Sequence, residues 1–166
     1  MSIYFIPLIA WVALGLYRHE TLKNYLYWCY ALLLFLISSF RYDVGIDFLS
    51  YKEIFENISS FSRFEPLSLY IFTFAKKMSF SFNFALSIFS FLTIYGIFKF
   101  LRDFSLYYRI GALLFFVVPI FYFQTFNHIR QWAAIGMMLL STVYFFRKDN
   151  IKFLFFALLA PMLHFS

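Results

Sequence analysis

Charged side chains divide this sequence into a row of long uncharged runs. Residues 1–17, 24–40, 78–98, 110–129, 131–146 and 153–166 contain no Asp, Glu, Lys or Arg. About 20 apolar residues span a bilayer core, with a working range of about 17–25. Several runs sit at the short end, and flanking Lys and Arg can snorkel outward and lengthen them. Apolar and polar residues do not alternate at period two, which argues against a transmembrane barrel. In hydrocarbon the backbone must bond to itself, so helices are the remaining solution. Composition agrees: 63% of residues are hydrophobic and 13% charged, against about 25% charged in an average soluble domain. The formal charge of +6 is scattered in ones to threes between apolar runs. That pattern suits lipid headgroups, not a nucleic-acid surface.

The first run lacks a basic leading region and a small-residue cleavage site, so it reads as a retained helix and not a signal peptide. Residues 41–65 hold three basic and five acidic side chains and must sit in water. Within them Phe48, Tyr51, Phe55 and Ile58 recur at helical spacing, with Lys52, Glu53, Glu56 and Asn57 elsewhere on the wheel. Asp47 stands in front as an N-cap. This predicts a short amphipathic helix lying on the membrane. Pro66 then suits a first helical position. Leu67, Ile71, Phe74 and Met78 form a second apolar stripe, ending beside Lys76 and Lys77, in a segment too short to span comfortably.

Basic residues decide the number of crossings through the positive-inside rule. With 66–78 kept on one face, the connections 18–23, 99–109 and 147–152 share a side and carry Arg18, Lys23, Lys99, Arg102, Arg109, Arg147, Lys148 and Lys152. They belong in the cytoplasm, which puts the N-terminus outside. The expected fold is all-α, a single polytopic membrane domain over residues 1–166. Its transmembrane helices fall near 3–17, 24–40, 80–99, 109–126, 131–146 and 152–166, and the outer loop 41–79 bears two short amphipathic helices.

This topology gathers the unusual polar residues at the outer face: Arg41, Asp43, Asp47, Tyr51 and Glu65, then Asn127, His128, Arg130 and Gln131, then His164. If a helix starts near Asn127, then Asn127, Arg130 and Gln131 share one side. A helix N-terminus with an arginine favours anions, diphosphate in particular. The same residues also read as an interfacial arginine beside an asparagine cap. Gly45 allows a tight turn between Asp43 and Asp47, one of which can act as general base toward a sugar hydroxyl while the other supports it. An ordinary exit turn fits that segment too. Glu65-Pro66 reads either as part of a site or as a helix start with a carboxylate at its positive end. His164 is an interfacial residue or a participant in chemistry. Three histidines and the single Cys29 show no metal-ligand spacing. The tyrosines and Trp28 within residues 25–30 read as an interfacial aromatic belt. Asn57, Ile58 and Ser59 fit the N-glycosylation pattern.

Taken together, these blocks resemble a known family. Arg41-Tyr-Asp-Val-Gly-Ile-Asp47, followed by Tyr51 and Glu65-Pro66-Leu67, is similar to the first outer loop of EpsG-type proteins, Wzy-like polymerases of capsule, exopolysaccharide and O-antigen. Asn127-His-Ile-Arg130-Gln131 resembles their N-x-x-R-Q segment, and Leu163-His164-Phe165-Ser166 their helix ending in His-x-Ser. The outer loop also resembles, loosely, that of GT-C glycosyltransferases. The resemblance implies joining of undecaprenyl-diphosphate-linked oligosaccharide repeat units at the outer face of the bacterial cytoplasmic membrane. Arg130 and Arg41 would hold the diphosphate. Asp47, or else Asp43 or Glu65, would take the acceptor proton. Asn127 and Gln131 would orient, His164 would bond phosphate or sugar, and Tyr51 would help bind. No cofactor is implied, because the lipid diphosphate is already activated. No metal is expected where two arginines supply the counter-charge. Implied partners are the glycolipid, membrane lipid, and a chain-length regulator and flippase of the same pathway. Family members are usually much longer, so an N-terminal fragment is expected. A flippase for lipid-linked sugars, a glycan ligase and a non-catalytic membrane subunit are the competing readings.

Overall fold

The computed structural model describes residues 5–16, 20–58 and 65–165. Among them every regular element is a helix: α1 (Phe5–Leu16), α2 (Glu20–Ser39), α3 (Phe48–Glu56), α4 (Pro66–Lys77), α5 (Phe82–Phe104), α6 (Tyr108–Val117), a 3-10 helix (Phe123–Phe126), α7 (Ile129–Phe146) and α8 (Asn150–Leu163). The glycosylation pattern at Asn57 and the closing Ser166 extend outside the described residues.

Two helices, α5 with 23 residues and α7 with 18, are long and apolar enough to cross a membrane. At about 1.5 Å per residue they reach roughly 35 and 27 Å, close to the hydrocarbon thickness. α6 and α8 are apolar but shorter. α5 is the spine and packs on α7, α2, α4 and α6, while α7 also packs extensively on α8. One apolar core joins the first half of α5 (Phe82, Ala85, Phe89) to α3, α4, α7 and α8. A second joins its later half (Ile94, Ile97, Phe98) to α2, α6 and the 3-10 helix.

α5 and α7 cross with their backbones in contact. A Cβ built on Gly96 would lie 2.3 Å from the Gly136 carbonyl oxygen, and one on Gly136 would lie 2.4 Å from that of Leu92. Lipid offers no hydrophobic drive for helix association, so close approach through small residues supplies the packing.

Four sequence expectations change in the structure. The run 109–126 is not one helix. α6 ends at Val117, Val118 is extended before Pro119, and the chain turns into the 3-10 helix. Proline cannot continue a helix and disfavours helical geometry in the residue before it. The broken element still runs from Asn24 (Tyr108 Oη–H to Asn24 Oδ1, 3.1 Å) to the level of Arg41. The Tyr122 amide donates to the Phe115 carbonyl at 3.0 Å, restitching the break. Second, α3 buries Phe48, Tyr51 and Phe55 as its spacing predicts. That face meets protein and not lipid: Phe48 packs on Phe82 and Phe55 on Phe72.

Third, α4 begins with Pro66 at its first turn, but its buried side is Ser68, Ile71, Phe72 and Ala75, with Met78 exposed. α4 is wedged against both α5 and α8, so the side between them turns inward. The Ser68 hydroxyl donates to the Leu163 carbonyl at 2.8 Å. Fourth, Tyr27 and Tyr30 leave the expected aromatic belt for the interior, where the Tyr27 hydroxyl donates to the Phe98 carbonyl at 2.8 Å. Their i, i+3 spacing puts them on the side of α2 that faces α5.

Because the α5–α7 contact has no room for a methyl group, Gly136→Ala should destabilise the bundle by about 1–3 kcal/mol. Thermal unfolding in detergent checks this. A surface change such as Leu106→Ala, at a position 93% exposed, is the control.

Candidate functional site

Glu65 lies at the N-cap of α4 with only 7% of its surface exposed. An extended backbone there turns the carboxylate inward, where α7 and the end of α8 meet it. Arg130, in the first turn of α7, donates through Nη1 to Glu65 Oε2. The His164 ring, at the C-cap of α8, places Nδ1 2.9 Å from Oε1. The Phe165 amide donates to the same oxygen at 3.2 Å. Arg130 also stands over the ring of the buried Tyr51 in α3, its Cζ 5.9 Å from the centroid. α7 and the end of α8, up to 100 residues along the chain, thus converge on a carboxylate at the start of α4, and α3 joins through Arg130.

Burial works to raise the Glu65 pKa. Its own amide, Arg130, the Phe165 amide and His164 together outweigh burial and hold the carboxyl below its ordinary value. Glu65 is therefore ionised at neutral pH. Burial pushes the Tyr51 hydroxyl up, only partly relieved by Arg130, so it stays protonated. Among the described residues no group of three His, Cys, Asp or Glu side chains gathers to hold a metal.

A second knot stands beside this cluster. Arg41 is 6% exposed. Its Nη1 donates to the Ser38 carbonyl at 2.8 Å and its Nη2 to that of Phe126 at 3.3 Å, with the Phe126 ring 4.8 Å away. Gly45 has φ +106°, and a Cβ there would meet the Phe126 carbonyl oxygen at 2.9 Å. Asn127 Oδ1 accepts from the Ile46 amide at 2.8 Å. Arg41, Gly45 and Asn127 thereby lash the exit of α2 to the turn before α7.

The expected one-sided set of Asn127, Arg130 and Gln131 does not form. α7 begins at Ile129, two residues later than the set requires, and His128 holds the N-cap position. Asn127 therefore faces the 41–47 loop and Gln124, Arg130 faces Glu65, and Gln131 is exposed at the surface. Asp47 occupies the N-cap position of α3 without capping it by its side chain. It lies 3.9 Å from His128 Nδ1 instead. Asp43 is exposed, with φ +49°.

Gln131 and His164 lie at the polar end of a groove of about 420 Å³ between α7 and α8, lined further down by Ala134, Ile135, Met138, Leu139, Ala160 and Pro161. The named residues thus share one end of the bundle, and the opposite end carries Asp103 bridged to Lys99 and Arg147. Sequence spacing offered no hint of the Phe165 amide or of the groove wall.

Glu65 supplies stability that is complete above the ordinary carboxylate range and fades as pH falls through its lowered folded value. Melting curves in detergent should show this acid-side loss in the wild type. Glu65→Gln should start lower and respond more weakly to pH. Glu65→Ala, which takes the carboxylate away from Arg130, should cost about 3–5 kcal/mol.

No curated protein and no solved structure matches the chain. A family model does match, over residues 24–166, and it spans every element of the site just described. With its spanning-length apolar helices and this match over most of its length, the chain is a membrane protein that belongs to the EpsG family.

Proposed function

We propose that this protein polymerises oligosaccharide repeat units carried on a lipid diphosphate, at the outer face of the bacterial cytoplasmic membrane. The growing chain leaves its lipid diphosphate and passes to a hydroxyl on the next lipid-linked unit. The observation that carries this reading is the convergence of Arg130 and His164 on Glu65, with His164 also lining the α7–α8 groove beside Gln131. A polar cluster at the end of an apolar groove suits an amphiphile with an anionic head.

Arg130 offers a guanidinium beside the positive end of α7, the arrangement that offsets charge developing on a leaving diphosphate. Arg41 adds positive charge at the same rim. Tyr51, Asn127 and Gln131 border the sugar side, and Asp43 and Asp47 lie on the outer loop. The basic residues Lys99, Arg102, Arg109, Arg147, Lys148 and Lys152 at the other end belong in the cytoplasm by the positive-inside rule, which puts the site outside. A flippase would need charges along mid-helix. Residues 82–98 of α5 and 131–146 of α7 carry none.

In cells whose polymer depends on this protein, Arg130→Ala should lower polymer output at least ~10²-fold, the scale of losing one donor to a developing anion. Single-unit glycolipid should accumulate on the outer face. Arg130→Lys keeps the charge but loses the fork and should recover little. Gel analysis of polymer together with lipid extraction reads both. Glycolipid trapped on the inner face would favour transport instead, and unchanged polymer would remove Arg130 from the site.

A further inference from the structure

Resting on that reading, we infer that His164 is the general base of the transfer and that Glu65 is its positioning residue. The ring is held at the C-cap of α8, where it lines the α7–α8 groove, with Nδ1 2.9 Å from Glu65 Oε1. An ionised carboxylate only accepts hydrogen bonds, so Nδ1 must carry the hydrogen. The neutral ring then keeps its lone pair on Nε2. Imidazole nitrogens sit on opposite flanks of the ring, so Nε2 faces away from Glu65. The Phe165 amide on the same carboxylate oxygen and Arg130 on the other fix the carboxylate, and so fix the tautomer.

The competing base, Asp47, stands elsewhere. Its side chain is 40% exposed, it lies 3.9 Å from His128, and it is not part of the groove wall. A general base must stand within hydrogen-bond reach of the hydroxyl it serves, and of the two only His164 lines the groove.

The step balances as follows. The acceptor hydroxyl gives its proton to Nε2 as its oxygen bonds to the anomeric carbon of the growing chain. The bond from that carbon to the diphosphate oxygen breaks, and the electron pair leaves on the diphosphate. The imidazolium, held against Glu65, returns its proton to water. Arg130 serves the leaving group and His164 the nucleophile, from two sides of one carboxylate.

Two measurements on the whole protein in detergent or proteoliposomes test this. The chain has three histidines, so nitrogen-15 histidine spectra of the wild type can be assigned by the loss of one signal in His164→Asn. The expected result is an Nδ1-protonated ring at neutral pH. An Nε2-protonated ring overturns the inference without touching the polymerase reading. In the second, His164→Ala should lose about 10²-fold or more in turnover, the usual worth of a general base. Its KM for lipid-linked unit should move only a few-fold, and added imidazole should restore part of the rate. A raised KM with unchanged turnover, or no rescue in a folded variant, makes His164 a binding or packing residue and overturns the inference alone. If the wild type transfers no sugar between lipid-linked units, the polymerase reading fails and the inference falls with it.

Discussion

A buried carboxylate in an apolar bundle is a liability unless its charge is met, and this bundle is arranged around meeting it. Taking a charge out of water costs several kcal/mol in practice, and the cost is offset only by close partners of opposite sign and well-placed donors. Glu65 has Arg130, an imidazole and two backbone amides, its own and that of Phe165. Arg130 arrives on α7 and the imidazole and the Phe165 amide at the end of α8, so satisfying one oxygen pair positions α4, α7 and α8 together. Tyr51 beneath Arg130 brings in α3. The Ser68–Leu163 bond, one turn further along α4, repeats the α4–α8 junction below the ion pair.

That junction depends on α7 being fixed from the other side. The Gly96–Gly136 contact sets the depth at which α7 lies on α5, with no side chain between them to yield. The Arg41 knot then holds the turn before α7 against the exit of α2. Close backbone packing and a charge-assisted tie act at the two ends of the same helix half. The result is an Arg130 whose position is determined by neighbours on both sides, which is what a preorganised anion site requires.

Much of this was legible in the sequence, for physical reasons that differ by element. The charge-free runs foretold an all-helical chain because hydrocarbon permits little else. Phe48, Tyr51 and Phe55 foretold the buried face of α3, and Pro66 foretold where α4 begins, because both are local effects. What sat against α3 was not legible, since the same stripe serves lipid and protein alike. The break at Pro119 was readable from proline chemistry alone, yet the surrounding apolar run concealed it. Arg41 and Arg130 look equivalent as isolated arginines at helix ends. Only folding shows that one binds backbone carbonyls and the other a carboxylate. Glu65 and His164, 99 residues apart, had no sequence signal of their pairing.

The sign of the helix dipoles sharpens the difference between these groups. A carboxylate at the start of α4 and an imidazole at the end of α8 each sit where the dipole favours them in charged form. Arg130 does not. It lies in the first turn of α7, at the positive end, where a cation is disfavoured by about 0.3–1 kcal/mol. Glu65 relieves that local excess by one unit of charge. The dipole of α7 remains in the same corner, and on the proposed function His164 adds a positive charge whenever it takes a proton. On that reading, a corner whose arginine stands against its own helix dipole favours a further anion. A diphosphate, which gains charge as it departs, would gain most from that field at the moment His164 becomes protonated.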